Sequence, residues 1–252
     1  RFIMLRTLKL AKLSRMATLN VIGCGRVGRA LAQLFVRHGA FGILDVFDSA
    51  REQAEAAVAF ISNGRAVGAL ADMRGADVWM ITPPDDQIVA CGKALAASGK
   101  LQPGNVVFHC SGALPSHDLA AAMGCGTAVA SVHPLKSFAD SAVAARTFDG
   151  TYCAAEGDAA ALAMLQPAFE RIGARVSEIE PEFKTIYHAA SVIVCNYLTA
   201  LLETGLRSYE KSGLQRDAAL RMMEPLVRET VDNVFKLGTV QALTGPIARG
   251  DQ

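Results

Sequence analysis

Asn20-Val21-Ile22-Gly23-Cys24-Gly25-Arg26-Val27-Gly28-Arg29-Ala30 is the stretch that decides the fold. An apolar strand over 19–22 runs into a glycine turn, and a helix opens near Val27. The glycines fall as G-x-G-x-x-G. Gly23 allows a tight turn, Gly25 lets the backbone approach a pyrophosphate, and Gly28 lets helix and strand pack closely. An anion would then rest on the unpaired N–H groups at the helix's positive end. Glycine-rich turns are common, but one that follows a strand and opens a helix points to a dinucleotide site.

Working outward, the helix continues over 31–36 and stops at His38-Gly39. A second strand over 43–47 ends in Asp48, about 20 residues past the last glycine, where a carboxylate accepts bonds from ribose hydroxyls. Asp45 competes for that role, but in mid-strand it faces the core or the sheet surface. An acid at Asp48 repels the 2′-phosphate of NADP, and Arg51 one turn on offsets this in part. NAD and NADP both stay open, with charge leaning to NAD.

Further strands are expected over 65–67, 78–81, 106–108, 129–132, 151–154 and 175–179. Helices are expected over 51–61, 88–97 and 159–172. The fourth strand stops at Thr82-Pro83-Pro84 because proline cannot donate a ladder bond. Such alternation predicts an α/β fold with a doubly wound parallel sheet. From Pro181 the texture becomes purely helical. One long helix is expected over 182–212, ended by Gly213, and a second over 216–237, ended by Gly238 and kinked or split by Pro225. The expected organisation is a Rossmann domain over 16–180 and an all-helical domain over 181–252. Residues 1–15 are basic and leucine-rich without an acid, as a transit segment or surface helix would be; the better reading takes Met16-Ala17-Thr18 as a natural start, which leaves them as an extension outside the fold.

A hydrophobic content of 51% with only 6% aromatics implies a core of Ala, Val and Leu. The net charge of +1 gives no bulk attraction to nucleic acid or to an acidic membrane. Six cysteines without a C-x-x-C pair fit the free thiols of a reducing, cytoplasmic setting. No apolar run approaches the length of a membrane span.

Chemistry-bearing residues gather in three places. Lys184, His188 and Ser191 share a helix face, where neighbouring cations raise each other's cost of being charged. The bland reading is a histidine satisfied in a helix interface and a lysine at a solvated helix start. His109, Ser111 and His133 lie just past strand ends, beside the edge where a nicotinamide belongs; equally, loop histidines cap carbonyls. Ser111 and His133 are expected to line that nicotinamide side. His109, His117 and His133 lack the close spacing of a metal site. Arg249 is a candidate anchor for a substrate anion. The tripeptide Arg249-Gly250-Asp251 carries no weight as an adhesion motif without secretory features.

The fingerprint, His109-Cys110-Ser111-Gly112-Ala113, His133-Pro134-Leu135, Tyr187-His188-Ala189-Ala190 with Asn196, and residues 242–251 together carry a resemblance. From Met16 onward the chain resembles the bacterial Rossmann-like proteins with an uncharacterised helical C-terminal domain. These sit in the 6-phosphogluconate dehydrogenase-like superfamily, with pyrroline-5-carboxylate reductase and deazaflavin-dependent NADP oxidoreductases as cousins. The resemblance implies a nicotinamide cofactor at an interdomain cleft and a helical domain that dimerises. It also implies roles for Lys184 and Asn196, which are similar in placement to a lysine and an asparagine that act on substrate in hydroxyacid dehydrogenase cousins. Two departures stand out: relatives often carry a small or basic residue at the place of Asp48, and commonly continue past Gln252.

The expected function is an NAD(P)-dependent oxidoreductase moving a hydride to or from a small carbonyl, imine or hydroxy acid. In that reading His188 is the general acid/base, Lys184 polarises the substrate oxygen and Asn196 orients it. His133 and Arg249 contact substrate, and Gly23, Cys24, Gly25, Arg26, Val27, Gly28, Asp48, Thr82, Pro83 and Ser111 contact the cofactor. The alternative is a cofactor-binding sensor or scaffold without catalysis. The apolar residues of the last two helices exceed what the pair can bury together, which predicts a homodimer.

Overall fold

The computed structural model describes residues 15–245 together with Ala248 and Gly250. The chain divides into two compact units, the first ending at His188 and the second beginning at Ala189.

The first unit is built on an eight-stranded sheet: β1 (Thr18–Ile22), β2 (Gly42–Phe47), β3 (Arg65–Val67), β4 (Val78–Ile81), β5 (Val106–His109), β6 (Ala128–Pro134), β7 (Tyr152–Gly157) and β8 (Arg175–Glu178). Their spatial order is β3-β2-β1-β4-β5-β6-β7-β8. All neighbours run parallel except β6 and β7, which are antiparallel. Every residue of β4 and β5 is buried, the mark of interior strands covered on both faces. Side chains alternate between two cores as the two-residue period requires. Val78 and Met80 join one core with Leu31, Phe35 and Phe169, whereas Trp79 and Ile81 join the other with Ile88 and Leu95.

The helices α1 (Arg26–Arg37), α2 (Arg51–Ile61), α3 (Asp85–Ala97), α4 (Ala120–Met123), α5 (Ser141–Arg146) and α6 (Ala159–Arg171) supply those covers. Neither α4 nor α5 has a periodic signature long enough to read in sequence. The chain leaves β1 for β2 on one side and reaches β4 on the other. That switch point opens a crevice at the carboxyl ends of β1, β2 and β4. The three ends are level, with Ile22 opposite both Phe47 and Ile81. Arg15, placed by sequence in the extension, is bonded to Asp77 through Nη2 at 2.9 Å.

A long helix begins with a 3-10 turn at Pro181–Phe183, continues as α7 (Lys184–Val192), loosens into a π turn at Ile193–Tyr197 and ends as α8 (Leu198–Lys211). A single uninterrupted α-helix was expected there. Gly213 follows it with φ of +96°, a left-handed conformation that costs a glycine nothing. The helix that follows, α9 (Arg216–Leu237), carries Pro225 in its interior. Of the kink or split expected at the proline, the split does not occur: one missing donor on an exposed face leaves the flanking turns bonded.

A second correction concerns length and polarity. The helix over Pro181–Lys211 is 31 residues long, and its most apolar 18-residue stretch has a mean hydropathy of 1.4, enough by length and composition to cross a membrane. Scattered polar residues such as Tyr187, His188 and Asn196 hide this from inspection of the run, because they dilute the average only slightly. Within the second unit Val194, Leu201, Leu226 and Phe235 are more than half exposed.

Candidate functional site

The glycine turn is clamped between strand ends. Gly23 adopts φ of +87°, and its N–H donates to Phe47 O at 2.8 Å. A Cβ on Gly23 would lie 2.4 Å from Pro83 N. Thr82 donates its hydroxyl to Gly23 O at 2.7 Å and its N–H to Ile22 O at 2.7 Å, so β4 holds the turn from the far side. A Cβ on Gly28 would meet Thr82 Oγ1 at 2.4 Å and Gly23 O at 2.5 Å. Gly25 is different: a Cβ there finds nothing nearer than Thr82 O at 3.9 Å. It is also the N-cap of α1 and offers no side-chain cap, which leaves the first-turn amides for an outside acceptor.

A cavity of about 520 Å³ lies against this turn, and Gly23, Gly25, Arg26, Val27, Asp48 and Thr82 line it, along with Pro83. Among expected cofactor contacts, Cys24, Gly28 and Ser111 are not on its wall. The Cys24 side chain is buried beneath the turn, its thiol donating to Phe47 O at 3.4 Å. Burial, then the Asp48 charge, push that thiol up to about 12, so it stays protonated. Gly28 is the buried contact between helix and strand.

Asp48 accepts from Cys24 N at 2.7 Å and from Ala50 N at 3.1 Å. Its competitor is committed elsewhere. Asp45 is fully buried and bonded to Arg74 Nη2 at 2.8 Å, Arg65 Nε at 3.0 Å and Arg74 N at 2.6 Å. Burial alone would raise its pKa, but those donors outweigh it and hold the carboxyl below its usual range. Arg51 pairs with Glu55 at 2.9 Å, and Arg29 bonds Cys24 O and Gln53. Sequence reading did not assign Ile22, Phe47 and Pro84 to the wall, although they adjoin residues it did assign, and it missed Gln87 and Cys91 of α3 and Ser49 and Phe138 of loops. Only Ser49, beside Asp48, carried a signal, since its position follows from the strand end.

A second cluster forms where β5 and β6 end. His133 Nδ1 lies 3.3 Å from Tyr187 Oη, and the His133 and His188 ring centroids are 5.7 Å apart. Both imidazoles close over Gly112, where a Cβ would sit 2.3 Å from His188 Nδ1 and 2.8 Å from His133 Nε2. His188 Nδ1 is buried and has no hydrogen-bond partner. Burial, then the charges of His188 and Lys184, lower His133 to about 4, so its ring is neutral at pH 7.

Ser111 does not face this space. Its hydroxyl donates to Asp85 Oδ2 at 2.7 Å and accepts from the amides of Ala113 and Leu114, and the residue is buried. It builds the loop that presents Gly112. His109 is fully buried, its Nδ1 accepting from Ser111 N at 3.2 Å. Burial, then the Lys184 charge, lower it to about 4. Lys184 is 1% exposed, bonded to Ser131 Oγ and paired with Glu156 Oε1 at 3.2 Å. Burial pushes its pKa down, and Glu156 opposes that shift. Asn196 lies in the second unit, exposed, in the π turn. Arg249 lies outside the described residues. Among the described residues no three His, Cys, Asp or Glu side chains are grouped to hold a metal.

Comparison with known proteins agrees with this architecture. No curated protein matches the sequence. Among solved structures, a candidate NADP oxidoreductase from Bacteroides fragilis superimposes with a TM-score of 0.76 at 21% identity, covering 93% of this chain and 86% of its own. A protein from Thermotoga maritima gives 0.70 at 27% identity, covering 92% and 85%. Pyrroline carboxylate reductase from Plasmodium falciparum, solved with NADP bound, gives 0.62 at 16% identity, covering 91% and 85%. Two family models match: a Rossmann-like domain over residues 8–134, and a domain of unknown function (DUF2520) over residues 151–252. With half of its length matched by the first and the rest of its fold continued by the second, the chain belongs to the Rossmann-like domain family and carries a DUF2520 domain at its C-terminal end.

Proposed function

We propose that the protein is an NAD(P)-dependent oxidoreductase acting on a small carbonyl, imine or hydroxy acid. The observation that carries this reading is the fingerprint cavity: Gly23 and Gly28 enforced by contact, Gly25 open beside the uncapped amides at the start of α1, and a carboxylate at the end of β2. These groups fit a dinucleotide. The amides after Gly25 would take the pyrophosphate and Asp48 the ribose hydroxyls, with Arg26 on the wall beside them. When bound, a nicotinamide supplies a hydride donor or acceptor.

The chain's own contribution at the reacting end is proton handling and exclusion of water. His188 is the proposed general acid/base, and His133, neutral and bonded to Tyr187, is its neighbour on the substrate side. Asn196 remains a proposed substrate contact on the strength of the sequence resemblance, and Arg249 as a guanidinium suited to a substrate anion. The exposed apolar surface of the second unit supports a homodimer. An apolar groove of about 850 Å³ there, lined by Ile193, Val194, Tyr197, Leu201, Val234 and Phe235, is the surface proposed to meet a second copy.

Calorimetric titration with NADH and NADPH tests the cofactor assignment, and failure of both to bind sinks it. A panel of small carbonyls, imines and hydroxy acids, followed by nicotinamide absorbance, then separates an enzyme from a sensor. Turnover that disappears in His188→Ala while cofactor affinity stays at the parent value is the expected result. Full turnover in that variant would remove His188 from its role.

A further inference from the structure

Two elements meet the second cluster in matched steps. On β6, Ser131 and His133 are two residues apart and therefore share a face of the sheet. On α7, Lys184 lies three residues before Tyr187 and four before His188, so all three share a helix face. The steps join as two rungs. Lys184 Nζ donates to Ser131 Oγ, and Tyr187 Oη sits 3.3 Å from His133 Nδ1.

The lower rung is held from behind. Glu156 on β7 is the direct ladder partner of Ser131, and its Oε1 lies 3.2 Å from Lys184 Nζ. The same carboxylate accepts from Ser116 N at 2.8 Å and from Ser116 Oγ at 2.6 Å, which fixes its orientation. Ser131, Glu156, Lys184 and Ser116 are all buried, at 0%, 2%, 1% and 5% exposure.

Stability alone is a weak reason to keep such a pair, because buried ion pairs are often replaced by apolar side chains without loss. Access argues against chemistry at substrate, since the ammonium is 1% exposed and already bonded to Ser131 and Glu156. What the pair does supply is a fixed distance. A helix is free to slide or turn on an apolar surface, but an ammonium seated between a hydroxyl and a carboxylate sets its register.

We infer that Lys184 is a positioning residue: with Ser131 and Glu156 it sets the register of α7 on β6 that brings Tyr187 to His133 and His188 over Gly112. The inference rests on reading that cluster as the reacting end of the oxidoreductase site, and it replaces the direct substrate role expected for Lys184 from sequence.

The test is independent of turnover. Protein labelled with ¹⁵N-histidine reports the His133 Nδ1 signal at pH 7, and Tyr187→Phe gives the reference position of that signal without its partner. In Lys184→Met/Glu156→Gln both charges leave together, so no buried ion is orphaned. The expected result is a His133 signal moved to the Tyr187→Phe position, with cooperative unfolding kept and nicotinamide-nucleotide affinity within about twofold of the parent, since the fingerprint is untouched. A lowered melting temperature with the His133 signal unmoved would make the pair a plain stabiliser and overturn the inference. If the double variant does not fold, Ser131→Ala decides between the same outcomes by removing one bond of the rung. Failure of the parent protein to bind either nucleotide would count against the oxidoreductase reading and leave the His133 result standing.

Discussion

Asp48 and the amide of Cys24 are joined by a 2.7 Å hydrogen bond, so the acid at the end of β2 is fixed to the glycine turn by the fold itself. It cannot swing away without releasing a backbone donor. A 2′-phosphate brought beside it meets a fixed negative charge, and the nearby Arg51 and Arg29 are already bonded to other partners. NADH is therefore expected to bind at least as well as NADPH. Asp48→Ser should shift the affinity ratio towards NADPH by roughly tenfold, about 1.4 kcal/mol. Calorimetric titration of parent and variant measures it. A clear NADPH preference in the parent would mean that Arg26, on the cavity wall, claims the phosphate.

Gly25 and Gly28 separate binding from folding. A methyl at Gly28 is forced against Thr82 Oγ1 and Gly23 O, whereas at Gly25 it points into open space. Gly28→Ala should lower unfolding free energy by about 1–3 kcal/mol and weaken nucleotide binding as well. Gly25→Ala should leave urea unfolding within about 0.5 kcal/mol of the parent yet cost at least about tenfold in nucleotide affinity. Equal nucleotide affinity in Gly25→Ala and the parent would rule out a pyrophosphate at this turn.

Acid should destabilise the first unit through its histidines. His109 and His133 are lowered from 6.5 to about 4 in the fold, so between those values the unfolded chain binds protons that the native chain refuses. Stability is then full above pH 6.5 and falls as pH drops towards 4, with a slope of roughly 1.4 kcal/mol per pH unit for each histidine. Urea unfolding at pH 7, 6 and 5 gives the slope. In His109→Gln it should be shallower by about one proton's worth, and an unchanged slope would assign the acid sensitivity to other groups.

Light scattering in dilute, detergent-free buffer tests assembly. The expected mass is twice the 26.6 kDa of one chain. Leu201→Glu and Phe235→Glu together, on the groove of the second unit, should return the monomer with nucleotide binding intact. A parent mass of 26.6 kDa would remove the dimer, and recovery only with detergent would turn attention to the length and hydropathy of the helix over Pro181–Lys211.

Most strands were readable because each is a short apolar run that meets a breaker, as Val78–Ile81 meets Pro83 and Pro84. The direction of β7 was not readable, since six residues of one strand carry no sign of which way their neighbour runs. The preference for Asp48 over Asp45 followed from position along the strand; in the structure Asp48 is on the cavity wall and Asp45 is held by Arg65 and Arg74. Lys184 shows the opposite case. Its partner Glu156 is 28 residues away, and the pairing exists only because β7 lies beside β6. The one hint was an acid closing the apolar run Cys153-Ala154-Ala155, where a buried charge needs a partner. Gln87, Cys91 and Phe138 reach the cavity from connections and helix faces whose direction no local pattern sets.

The reversal of β7 has a consequence for how such a chain can change over time. A connection between parallel strands must travel back across the sheet, so its length is tied to the distance it covers. The segment from Leu135 to Thr151 is spared that journey, because β6 ends and β7 begins at the same edge. It stays beside the cavity at the glycine turn instead, lending Phe138 to the wall and, through Ser141, a 3.1 Å bond to Arg26 O. Residues can be gained or lost in its exposed turns without moving any strand, provided that Ala145 and Phe148 keep their places in the core. The mouth of the cavity is thereby open to diversification while the frame that holds the glycine turn stays constant.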